Sequence, residues 1–241
     1  MEKKFNINPN LYTPIAIVLA GIAIAVAVYV SSVHTQTAPA AANLGAQPSI
    51  PSAINAAEVN SKGDATIGDA NAPLTMAYWY DYQCPFCQQN DENTISQVVK
   101  DYVQTGKMRI VFKDFAFLGP DSDTLGHVAR AVWEVNPSKF YAWHKAVFDN
   151  QGQEGSGWAT TEKIRSITAS VLSASETTRV MQLMQSNAAK YKTAMESDKA
   201  DGNKVGVSGT PAMLIGSQMI SGAQPYAQVK AVIDSELAKK K

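Results

Sequence analysis

Cys84-Pro85-Phe86-Cys87 contains both cysteines of the chain, and their spacing is one that chemistry can use. Two thiols three residues apart at a helix start share one face of its first turn, so their sulfurs can close a small disulfide ring. Cys84 would then sit where unpaired backbone amides and the helix dipole favour an anion. That would lower its pKa from the free value near ~8.5 toward roughly 3.5 to 7.5. A stabilised thiolate both attacks disulfides and leaves them readily. Pro85 suits the opening turn because it has no amide hydrogen to leave unpaired. Cys87 lies one turn deeper and is expected to be the less exposed thiol, resolving a mixed disulfide. Cys84 and Cys87 are therefore assigned as the catalytic pair, with Pro85 and Phe86 as the dipeptide between them.

The same spacing is also half of a zinc site. Closing it would need two more ligands, and only His34, His127 and His144 could supply nitrogen. His34 lies in a polar stretch, and the other two are not spaced as a ligand pair. No metal and no cofactor is assigned. His127 and His144 fall on apolar helical stretches and read as packing residues.

The elements that must hold the pair are set by pattern. Leu74 to Tyr80 is a short, aromatic-rich run after Ala72-Pro73, which suits a buried strand ending just before Cys84. Ile95, Val98, Val99 and Tyr102 recur at helical spacing, Gly106 supplies a stop, and Met108 to Phe112 reads as a second strand. Lys113 and Asp114 read as ordinary charges at its end.

Residues 121 to 204 are predominantly helical. Apolar stripes run through Leu125, Val128, Ala129, Val132 and Trp133; through Phe140, Trp143 and Val147; and through Ile164, Ile167 and Val171. A fourth joins Val180, Met184, Ala188, Tyr191 and Met195. Asp149 to Gly157 is a Gly-rich loop among them. Ala212 to Ile215 and Gln218 to Ser221 make a hairpin about Gly216-Ser217, and Pro225 opens a last helix.

Composition bounds the function. With 241 residues, 45% of them apolar, the chain can bury one large core with an insertion. Its formal net charge is zero, which disfavours nucleic acid as a partner. Residues 11 to 30 carry no charge, and Lys3 and Lys4 precede them. This is near the lower end of the roughly 17 to 25 residues that span a bilayer, and the lysines place the chain beyond Val30 outside the cytoplasm. The alternative is a cleaved signal peptide, with Ala38-Pro39-Ala40 as a site, although the apolar run exceeds the usual ~7 to 15 residues. Residues 31 to 60, rich in Ala, Ser, Thr, Pro and Gln, read as a flexible tether with a root-mean-square span of about 30 Å. The layout expected is a cytoplasmic end at 1–10, an anchor or signal segment at 11–30, a tether at 31–60 and a catalytic domain at 61–241.

Asp81-Tyr82-Gln83-Cys84-Pro85-Phe86-Cys87, together with Gly206-Val207-Ser208-Gly209-Thr210-Pro211, resembles the exported DsbA-like family of thioredoxin-fold proteins. Residues 140–148 (Phe-Tyr-Ala-Trp-His-Lys-Ala-Val-Phe) resemble a helix of that family's insertion. The likeness covers about residues 60 to 240. It implies an α/β thioredoxin fold with a helical insertion at about 121–204, and a cis Thr210-Pro211 bond facing the Cys pair. It implies too that the Thr210 backbone binds an extended substrate segment by strand addition, while Pro211 keeps that edge from closing on its own sheet. One position departs. Many thioredoxin-fold enzymes carry a buried carboxylate six residues before the first Cys, and here that residue is Tyr78. Asp81 admits two readings, a solvated residue at a strand end or a carboxylate that assists proton transfer.

The expectation is a protein disulfide oxidoreductase that donates its Cys84–Cys87 disulfide to extracytoplasmic cysteine-containing clients. A membrane redox partner, a quinone-linked oxidase or an electron donor, would recharge it. Residues 31 to 60 are too short and too polar to build a separate dimerisation domain, which favours donation over isomerisation. The alternatives are a reductase or isomerase using the same residues, and a tethered binding module without catalysis.

Overall fold

The computed structural model describes residues 50–51 and 54–240. Its strands are β1 (Ile50–Pro51), β2 (Thr66–Ile67), β3 (Leu74–Tyr80), β4 (Met108–Asp114), β5 (Ala212–Ile215) and β6 (Gln218–Ser221). They form one sheet in the order β1-β6-β5-β3-β4-β2, in which β3 and β4 are parallel and the other pairs antiparallel. The central strand β3 is buried at every residue, which is why its sequence is apolar and aromatic but for Thr75. Leu74, Met76, Tyr78 and Tyr80 enter the main core, whereas Ala77 and Trp79 enter a smaller core on the opposite face.

Helix α1 follows β3 directly and covers residues 85–103. It opens as an α-helix at Pro85–Asn90 and runs on through two π-type stretches, Asp91–Ile95 and Val99–Val103. Gly106, at φ +71°, ends it: the Gly106 amide donates to the Val103 carbonyl and the Lys107 amide to that of Tyr102. Between β4 and β5 lies the insertion: α2 (Pro120–Val135), α3 (Phe140–Asp149), α4 (Thr161–Ala169), α5 (Ala174–Ser186) and α6 (Ala188–Lys204). The apolar stripe from Val180 to Met195 thus spans two helices, parted at Asn187, where the backbone leaves helical geometry. The last helix, α7 (Tyr226–Ala238), sends Val229 and Ile233 into the main core beside α1.

The sheet begins inside the stretch read as a tether. Ile50–Pro51 pairs with β6, and the Ala56 amide donates to the Gly216 carbonyl at 2.7 Å. Ala56 and Val59 then pack beside Ala77, Trp79 and Leu214. Two-residue strands show no period, so neither β1 nor β2 is visible in sequence. The expected anchor at 11–30 and residues 31–49 lie outside the described residues. Among those described, no helix is long and apolar enough to cross a membrane.

Lys113 and Asp114 are not surface charges at a strand end. Lys113 is fully buried, with its ammonium 2.7 Å from Asp64, 2.5 Å from Asp198 and 3.4 Å from Asp201. Arg130 of α2 reaches Asp64 at 3.3 Å and Asp114 at 2.8 Å, and also pairs with Asp198. Four carboxylates face two cations. Burial, together with the neighbouring carboxylates, therefore pushes Asp198 up to about 7 and raises Asp114 as well. The cluster ties the segment before β2 to β4 and to α2 and α6 of the insertion. Trp79 adds a neutral tie, its indole N–H donating to the Asp198 carbonyl at 3.0 Å. Gly202 lies so close to that ring that a Cβ would come within 2.8 Å of the indole nitrogen.

Replacing Arg130 by Leu leaves the buried Asp114 without an ion-pair partner, and leaves Asp64 and Asp198 with Lys113 alone. The variant is expected to lose about 3 to 5 kcal/mol of unfolding free energy, as removal of one partner from a buried ion pair does. Urea unfolding of the two proteins measures it. A loss under about 1 kcal/mol, the range of exposed pairs, would show that the cluster is hydrated and only loosely coupled to the fold.

Candidate active site

Cys84 is the N-cap of α1, with extended backbone (φ −73°, ψ 116°), and Pro85 occupies the first helical position. Its amide donates to the Asp81 carbonyl at 3.1 Å, and its carbonyl accepts from the amides of Cys87 at 3.0 Å and Gln88 at 3.2 Å. Both cysteines are free thiols, Cys84 5% exposed and Cys87 fully buried. That small difference in exposure accompanies a large difference in chemistry. A hydrogen bond from the Cys87 thiol, joined by the backbone amides of Cys87 and Phe86, lowers Cys84 to about 6 against the opposing effect of burial. Burial pushes Cys87 well above the ordinary thiol range, and the charge of Cys84 adds to it.

Thr210-Pro211 is a cis peptide, and the Thr210 carbonyl lies 3.5 Å from Cys84 Sγ. The structure thus brings Cys84, Cys87, Thr210 and Pro211 together across more than a hundred residues of chain. Phe86 points outward, 63% exposed; Phe117, at 49%, is the other large apolar side chain exposed among the described residues.

Sequence reading missed much of what braces the site. Asp81 is not solvated, and its backbone lies against the resolving thiol of Cys87. It is buried, accepting from the Gln83 amide at 2.8 Å, the Ser122 hydroxyl at 2.7 Å, and the amides of Phe117 at 3.0 Å and Leu118 at 3.2 Å. Gln83 donates to the Leu118 carbonyl at 2.7 Å and accepts from the Gly155 amide at 2.8 Å. Nothing in a single polar residue's type signals such pairing.

Under the helix, Tyr78 meets Asn90, whose amide nitrogen is 3.5 Å from the phenol oxygen. Burial, with Cys87 close by, raises Tyr78 well above its usual range, so it stays neutral. His144 is fully buried, as a packing residue would be, with ring centroids of Phe112, Tyr80 and Phe148 at 4.8, 4.9 and 5.0 Å. It is also hydrogen-bonded at both nitrogens, Nδ1 to Tyr82 and Nε2 to Asp91, each at 2.9 Å. All donors are matched when Tyr82 donates to Nδ1 and Nε2–H donates to Asp91. His127 is half-buried beside Tyr191.

An acidic thiol at a helix start, one turn from a reluctant partner, suits the passing of an electron pair between sulfurs. The class so defined is that of the thiol–disulfide oxidoreductases with a thioredoxin fold and a helical insertion. A family model described as thioredoxin matches residues 60–235, and the chain belongs to that family. It is 26% identical over 175 residues to a probable disulfide bond formation protein D of Bacillus cereus, covering 72% of this chain and 79% of the relative. The crystal structure of oxidised BdbD from Bacillus subtilis superposes with a TM-score of 0.68 at 22% identity, over 79% of this chain and 99% of that one. DsbA of Chlamydia trachomatis gives 0.64 at 18% identity, over 73% and 92%.

The asymmetry between the thiols is measurable. In reduced protein, thiolate absorbance is expected to rise with a midpoint at about pH 6 from Cys84, with Cys87 silent until well above the ordinary thiol range. Because the folded pKa is depressed, the stability supplied by the Cys84 anion is complete above the unfolded thiol pKa and is lost as pH falls through about 6. Cys84→Ser removes that acid-side loss. A single step at about pH 8.5 in the wild type, the value of a free thiol, would contradict the geometry.

Proposed function

We propose that Cys84 and Cys87 are the redox centre of an exported disulfide donor. A client thiolate attacks Cys84 Sγ of the oxidised pair; the Cys84–Cys87 bond breaks, and Cys87 takes the electron pair and then a proton. A second client thiolate attacks the client sulfur of the mixed disulfide, and Cys84 departs as a thiolate. The client gains one disulfide, and the pair retains two electrons. The observation that carries this reading is the opposite displacement of the two thiols, Cys84 down to about 6 and Cys87 up. A stabilised Cys84 anion is a good leaving group, and stabilising the reduced form makes the disulfide a stronger oxidant. Relatives named for disulfide bond formation support the same direction.

Thr210 and Pro211 form the client edge in this proposal. The Thr210 carbonyl beside Cys84 Sγ is where an extended segment carrying the attacked or attacking cysteine would pair. Residues 11–30 hold the domain on the extracytoplasmic face as a single-pass anchor, or are cleaved as a signal, and the stretch 31–49 is the tether that lets the domain reach its clients. Reoxidation falls to a quinone-linked membrane partner.

Cys87→Ala is expected to accumulate mixed disulfides with exported proteins, and Cys84→Ser to yield none; a mass-tag gel of trapped complexes reads both. In unstressed cells the wild-type pair should be mostly oxidised, and a mostly reduced pair would favour the reductase reading. The anchor is checked by alkaline carbonate extraction, which should leave the protein in the membrane pellet. Release of a chain beginning after residue 30 would establish cleavage.

A further inference from the structure

We propose that Gln151, in the loop between α3 and α4, is a positioning residue for Cys84: its amide holds the Cys84 carbonyl and so fixes the helix start whose amides stabilise the sulfur anion. The inference rests on Cys84 being the attacking thiol.

Gln151 Nε2 lies 2.8 Å from the Tyr82 carbonyl and 3.1 Å from that of Cys84. A side-chain amide has two hydrogens, so each carbonyl receives one. The Cys84 carbonyl is already the acceptor for the Cys87 and Gln88 amides, which makes it the pivot of the first turn. Rotating it would turn the amides of Phe86 and Cys87 away from the sulfur. It also carries partial negative charge close to Cys84 Sγ, and a further donor draws that charge away.

Gln151 is itself held. Its backbone amide donates to the Phe148 carbonyl at 3.1 Å, and Gln88 of α1 donates to the same oxygen at 2.9 Å. Four residues on, the Gly155 amide donates to Gln83 at 2.8 Å. One loop of the insertion therefore grips Tyr82, Gln83 and Cys84 in succession. Gly152 fixes how closely the loop lies on Trp158, since a Cβ there would come within 2.5 Å of it. A loop that served only to join two helices would need no amide at Gln151.

The side chains that act on Cys84 from elsewhere do not hydrogen-bond to the Gln151 amide. Cys87 and Tyr78 lie beneath Cys84 and Thr210 across from it. The Asp81 carboxylate is occupied by Ser122 and by the amides of Gln83, Phe117 and Leu118.

The test uses the full chain in the reduced state. Gln151→Met keeps the length of the side chain and removes both donors; Gln151→Glu sets a charged oxygen against two carbonyls. The Cys84 pKa is read from thiolate absorbance and from alkylation rate against pH, with the site of labelling confirmed by mass. The Met variant is expected to raise it by about one unit, a tenfold smaller thiolate fraction on the acid side, and the Glu variant by more. Alkylation rates of wild type and Met variant should converge above pH 8, where Cys84 is ionised in both. Thermal melts identify the folded variants, and either one suffices for the comparison. An unchanged Cys84 pKa in a folded variant overturns the proposal. Failure of the underlying reading shows separately, in the wild type, as first labelling at Cys87.

Discussion

A sulfur anion held almost entirely out of water is the constraint to which the rest of this protein answers. Burial alone raises a thiol's pKa, and at Cys87 it does so. At Cys84, one turn away and less deeply buried, directed donors outweigh that penalty. The difference lies in which end of a turn each sulfur occupies, so the turn has to be rigid. β3 delivers it, the buried Asp81 carboxylate and the Gln83 amide lock the loop before it, and Pro85 sets its first dihedral.

The insertion is built into that arrangement from two sides. On one face of the sheet, Arg130 of α2 and Asp198 of α6 close an ionic cluster with Lys113 and Asp64. His144 of α3 links Tyr82 to Asp91 of α1 through a hydrogen bond at each ring nitrogen. Burying ions is costly, so such a cluster adds less net stability than its contacts suggest, although removing one partner from it is expensive. The core and the insertion thus share their most constrained groups. Neither half of the joint is complete without the other.

The long-period elements were legible in sequence: β3, the β5–β6 hairpin with its turn at Gly216-Ser217, and the helices carrying clear apolar stripes. The paired thiols were legible because both cysteines of the chain fall in one local motif, whereas the cis Thr210-Pro211 bond was implied only by the family resemblance. What was not legible shares one property. Asp81, Gln83, Asp91, Gln151 and Lys113 act through partners tens of residues away, and a polar residue on its own looks the same whether it faces water or a buried carbonyl. Lys113 shows the limit well, since a lysine at a strand end is exposed by every local rule and here is fully buried among carboxylates. The short outer strands escaped for a different reason, being too brief for alternation to register.

Those outer strands carry a consequence for solubility. β1 pairs along β6 and β2 along β4, so each border of the sheet is closed by a two-residue strand drawn from the segment preceding β3. Long, flat borders are templates on which unfolded chains stack and precipitate. β1 and β2 each take up part of the free border of β6 and β4, which shortens the length open to such stacking.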